Sequence, residues 1–268
     1  MRAYRLKQIT LAVGLLGLIA TPLVEAEASS VDLGDAKDFA ILGAETVTNT
    51  GPTLLEGNLG VSPGSAITGF PPGLVDGTVH QNDGVADQAQ IDARAAYTTL
   101  ENMGSDGNLS GQDLGGMTLT PGVYTFSSSA QLTGDLVLDG NGPFVFQIGS
   151  TLTTASGARV MQTPGYDCFC DVFWQVGSSA TLGTTTRFAG TILADQSVTF
   201  NTGAILAGRA VALEAAVTMD SNHVNIDTAA AKAQDSSFII PTPSAALAGL
   251  GLLGMLGLSR QRRHRRAA

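Results

Sequence analysis

Between residues 178 and 222 apolar and polar positions alternate in short bursts: Ala180-Thr181-Leu182, Val198-Thr199-Phe200 and Val217-Thr218-Met219. A period of two predicts strands whose apolar members face a core and whose middle residue faces out. The bursts also recur. Phe188, Gly190 and Ala194 return as Leu206, Gly208 and Ala212 after 18 residues, and Thr181, Thr199 and Thr218 step by 18 and 19. So short a period suits one turn of a β-solenoid, with about three strands of four to six residues and tight corners. Gly183, Gly190, Gly203 and Gly208 are placed to supply corners that need positive φ. Residues 39–64, 124–140 and 144–160 carry the same grammar more loosely and read as further rungs. One stretch departs from it. Residues 85–103 contain no Gly or Pro, and Val85, Ala89, Ala93 or Ala96, Leu100 and Met103 recur at helical spacing. This predicts an amphipathic helix, capped by Asp83, whose alanines let it lie close against a sheet.

Alternation turns the repeat into a surface. If Val198 and Phe200 point in, Thr199 points out, and the same argument sends Thr181 and Thr218 outward. Ser179, Ser197, Asn201, Ala216 and Asp220 flank them on the same side. Rungs stack about 4.7–4.9 Å apart, so the outward residues form a grid of small hydroxyl-and-methyl side chains with Asp220 at its rim. Threonine is a good strand residue in its own right, so packing alone could produce such a stack. The sharper expectation is a rigid, periodic face that orders water, whose natural partner is a crystal surface, with ice as the water-based one.

The phrases "ILGAETVTNTGPTLLEGNLGVSPGSAITGFPPG", "LTPGVYTFSSSAQLTGDLVLDG", "PFVFQIGSTLTT", "DVFWQVGSSATLG" and "FAGTILADQSVTFNTGAILAGRAVAL" cover nearly all of residues 31–225. In their order they resemble the microbial ice-binding β-solenoid family. The resemblance implies an all-β fold: a right-handed, discontinuous β-solenoid of roughly triangular section with one long helix alongside. It also implies an N-terminal segment packed beside later coils, a flat face that adsorbs to ice, and no catalytic residues. By position it assigns that face to Thr151, Thr181, Thr199 and Thr218, with Thr53 near the N terminus, and to the flanking Ser179, Ser197, Asn201 and Ala216.

The chain ends read differently. Arg2, Arg5 and Lys7 precede a short apolar run and a small-residue site ending at Ala28, so residues 1–28 read as a secretory signal. Residues 238–268 hold Pro241-Thr242-Pro243, an apolar segment at about 244–258 and terminal arginines. That order resembles the PEP-CTERM class of bacterial sorting tails, with an ordinary C-terminal anchor as the alternative. The domain proper is then 29–237, in an exported bacterial protein that is secreted or held at the cell surface. Transient membrane contact and a sorting machinery are the partners the tail implies.

Charge narrows the partners further. Residues 29–237 hold 6 basic and 21 acidic side chains, a balance near −15 that argues against nucleic acid. No cofactor or metal site is expected, since His80 and His223 are the domain's only histidines. Cys168 and Cys170 read first as thiols, structural or free, because a disulfide between them would close a strained ring. The expected state is a monomeric ice-binding protein. Two other readings fit the leader and tail: an adhesin or matrix protein without ice activity, and a polysaccharide-active β-helix enzyme. The enzyme needs clustered acids or bases, but Asp195, Glu214, Asp220, Arg187 and Arg209 read as solvated corner charges.

Overall fold

The computed structural model describes residues 31–163 and 169–227. The expected leader (1–28), the tail (238–268) and Cys168 lie outside the described residues. Parallel strands wind around a common core in three stacked sides. On the first side the spatial order begins with Gly107–Asn108, Gly122–Phe126, Phe144–Ile148 and Val172–Val176. It continues through the second halves of Arg187–Ala194 and Ile205–Ala212, then Phe39–Gly43, Asn58–Val61 and Val79–Gln81, making about nine turns. A separate 7-stranded sheet forms the second side. The third runs from Thr118–Leu119 to Leu74–Asp76 by way of His223–Asn225 and Leu54–Glu56.

Rung order differs from chain order. The first coil of the chain stacks on the last: Ile41 pairs with Ala210, Val47 with Val217 and Leu55 with Val224. The helix Gly84–Glu101 makes this possible by carrying the chain from the coils at one end of the stack to the opposite end. Asp83 caps it, accepting hydrogen bonds from the Val85 and Ala86 backbone N–H groups. Ala86, Ala89, Ala93, Ala96 and Leu100 are buried against Leu42, Val145, Phe173, Leu193 and Val211 of the first side. Val85 is 45 % exposed, which corrects its expected inward position. The buried face starts at Ala86, one position later, because Asp83 rather than a side-chain staple fixes the helix entry.

Inside the coils the apolar residues form ladders. Tyr124, Phe146 and Trp174 are in register, and the Phe146 and Trp174 rings stack at 4.0 Å between centroids. The buried Trp174 Nε1–H donates to the Ala189 carbonyl at 2.9 Å. The two eight-residue strands turn a corner at Gly190 and Gly208, whose φ angles are 105° and 144°. A Cβ at Gly208 would lie 2.1 Å from the Gly190 carbonyl oxygen, so only glycine fits.

Cys170 is disulfide-bonded, which overturns the thiol reading. The chain's one other cysteine is Cys168. Cys170 lies just before the strand Val172–Val176. Among the described residues no helix is long and apolar enough to cross a membrane.

Candidate functional site

The 7-stranded sheet carries the grid. Its strands lie in the order Ala130–Leu132, Leu152–Thr154, Ala180–Leu182, Val198–Phe200, Val217–Asp220, Thr46–Thr50 and Ala66–Thr68. Buried residues stack beneath it: Ala130, Leu152, Ala180, Val198, Val217 and Val47 are all 0 % exposed. In-register side-chain ladders of this kind are among the devices that stabilise flat sheets.

Outward, one column reads Gln131, Thr153, Thr181, Thr199, Thr218, Thr48 and Thr68. Six threonines therefore stand in unbroken register over about 24 Å. A second column, about 6.6 Å away along the strands, reads Ser129, Thr151, Ser179, Ser197, Ala216, Thr46 and Ala66. All these side chains are exposed or half-exposed. Hydroxyls bond along the columns, which fixes their rotors. Thr218 Oγ1 donates to Thr199 Oγ1 at 3.2 Å, Ser197 Oγ to Ser179 Oγ at 3.0 Å, and Thr151 Oγ1 to Ser129 Oγ at 2.8 Å. β-Branching holds each threonine near one rotamer besides. The result is a regular array of methyls and hydroxyls.

The scaffold has known counterparts. The profile of the family described as Ice-binding-like matches residues 41–225. The chain belongs to this ice-binding-like family. An ice-binding protein of Nostoc sp. (strain HG1) is 52 % identical over 246 residues, covering 89 % of this chain and 90 % of the relative. Another, from Flavobacterium frigoris (strain PS1), is 32 % identical over 213 residues, covering 73 % and 76 %. The crystal structure of an ice-binding protein from the Antarctic ascomycete Antarctomyces psychrotrophicus superposes with a TM-score of 0.70 at 38 % identity, covering 74 % of this chain and 98 % of that one. One from an Antarctic biological consortium superposes with a TM-score of 0.69 at 41 % identity, covering 80 % and 96 %.

Within this family fold the expected residues fall as follows. Thr181, Thr199 and Thr218 share the central column, with Ser179, Ser197 and Ala216 beside them, and Asn201 lies exposed two residues past Thr199. Thr151 belongs to the serine column, because Leu152 pairs with Ala180 and the central position falls to Thr153. Thr53 is 1 % exposed and is not on the face. It occupies the corner below the sheet, where its hydroxyl donates to Asn49 Oδ1 at 2.5 Å and accepts from the Asn222 N–H at 3.0 Å. The family resemblance assigned it to the face by position, but the turn at Gly51 points Thr53 inward instead.

Thr153, Thr48 and Thr68 escaped the sequence reading. In each case the residue after the threonine is not apolar: Thr154, Asn49 and Gly69. Thr154 and Asn49 nevertheless point in and are buried, satisfied by Thr186 Oγ1 and the Gly183 N–H, and by the Gly51 and Gly69 carbonyls. The broken apolar alternation hid the outward threonine.

The corner charges are tied into the fold more closely than expected. Glu214 pairs with Arg94 of the helix at 2.5 Å, and Asp195 accepts from Gln196 at 2.7 Å. Arg209 is half-buried rather than fully solvated. Its guanidinium donates to Thr191 Oγ1 at 3.2 Å and has its pKa lowered by partial burial, which outweighs Asp38 nearby. Asp220 stays at the surface, with its carboxyl held below the ordinary range by hydrogen bonds from Thr202 and Ser221.

Proposed function

We propose that this protein adsorbs to ice through the threonine column and its serine-rich neighbour, and so slows the growth and recrystallisation of ice. The observation that carries the reading is the register itself: Thr153, Thr181, Thr199, Thr218, Thr48 and Thr68 form one straight row. A periodic row of fixed hydroxyls can anchor water at lattice-like intervals, while the methyls between them favour caged water over liquid disorder. Family membership and relatives that are themselves ice-binding proteins support it. We also propose that residues 1–28 direct export and that the tail at 238–268 is processed or anchors the protein at the cell surface, which then acts as a monomer on ice outside the cell. Thermal hysteresis and recrystallisation assays on purified protein test the activity. The expected result is faceted, slowed crystals at micromolar protein; crystals indistinguishable from those in buffer would refute it.

A further inference from the structure

We infer that Asp220 sets the lateral edge of the ice-binding surface and confines adsorption to two columns; the inference rests on the function proposed above. Asp220 follows Thr218 by two residues on the same strand and stands on the same side of the sheet, in register with Thr50. Asn201 and Thr50, on the flanking strands, are exposed. This third column therefore has neutral polar neighbours around one carboxylate. No residue in the two columns described above is charged.

A carboxylate is a poor neighbour for an ice lattice. It orients its hydration waters as donors, against the tetrahedral donor–acceptor balance of ice, and stripping that shell is costly without a compensating cation. Among the described residues no Lys, Arg or His forms an ion pair with it in the structure. Its partners are hydroxyls instead: Thr202 Oγ1 donates to Oδ2 at 2.5 Å, and Ser221 Oγ to Oδ1 at 3.1 Å. Both hydroxyls thereby aim their protons at the carboxylate. Thr50 spends its own on the Met219 carbonyl at 3.3 Å. Asp220 thus takes up two donor protons at the edge of the face as well as adding a charge. The hydroxyl bonds lower its pKa further below the ordinary carboxylate range.

The test is thermal hysteresis of Asp220→Asn at matched concentration. Asp76→Asn serves as control, since Asp76 is an exposed acid on a different side of the solenoid. A rise of roughly twofold in Asp220→Asn, with Asp76→Asn unchanged, is expected from removing an uncompensated charge at the contact. Unchanged or reduced hysteresis in Asp220→Asn, or an equal rise in the control, overturns the inference. Should the asparagine variant lose its cooperative thermal transition, Asp220→Thr replaces it and is held to the same outcomes. If the unsubstituted protein shows no hysteresis, the parent reading itself fails, which is a distinct result.

Discussion

Thr48 lies directly beside Thr218 on neighbouring parallel strands, although the two come from opposite ends of the described chain. The N-terminal coil therefore extends the outward row by two rungs, Thr48 and Thr68, past the last coil of the repeat. The expected consequence is that Thr48→Tyr lowers thermal hysteresis about as severely as Thr199→Tyr, because either bulky ring lifts the ice front off the row. Thr153→Tyr is expected to do the same at the other end. Equal far-ultraviolet circular dichroism in all three would show that the solenoid is intact.

Thr53 should behave oppositely. Its hydroxyl bridges Asn49 and the Asn222 backbone in the buried corner. Thr53→Val leaves those groups unpaired and is expected to cost about 1–3 kcal/mol in denaturant unfolding, while the activity of the folded fraction is unchanged.

How much of this could be read without the structure follows from where the pattern was clean. The face strands Ala180–Leu182, Val198–Phe200 and Val217–Asp220 alternate without fault, and their 18- and 19-residue steps reappear as the Ser197–Ser179 and Thr218–Thr199 hydroxyl contacts. The helix was legible from its alanines and from Asp83. The register of the earlier rung was not, because the step from Ser129 to Thr151 is 22 residues and Thr154 stands in a buried position. Thr48 and Thr68 were illegible for a second reason besides the non-apolar residues that follow them. Local alternation says nothing about which coil a strand joins, and the N-terminal coil finds its neighbour only through long-range pairing.

The glycine corners allow a sharp stability test. Gly208→Ala places a methyl group against the Gly190 carbonyl at a φ that L-residues rarely adopt. The expected loss is about 1–3 kcal/mol from backbone strain, with further loss from the clash. Gly84→Ala, where a Cβ meets nothing within 4 Å, should be neutral or slightly stabilising. Thermal melts of the pair make the comparison.

Trp174 anchors the aromatic ladder and is the chain's only tryptophan. Its truncation to alanine should cost about 3–5 kcal/mol. In the intact protein its emission reports unfolding of the central coils without added probes.

Acid should weaken the helix attachment through Asp83. Its carboxyl is held below the ordinary range, first by the Ala86 N–H and next by His80. A folded-state pKa below the unfolded value, about 3.9, contributes stability that is fully present above that value. It is lost as pH falls through the lowered folded-state pKa. Asp83→Asn keeps a capping oxygen but does not titrate, so its melting temperature should fall less steeply below about pH 4 than that of the unsubstituted protein.

The most direct test of the central claim is uptake of fluorescently labelled protein into a growing ice hemisphere, with Thr199→Tyr run in parallel. The account predicts that the unsubstituted protein is drawn into defined planes of the ice and that the variant, equally folded, is pushed into the remaining liquid. Exclusion of the unsubstituted protein, or equal uptake of both, would contradict it.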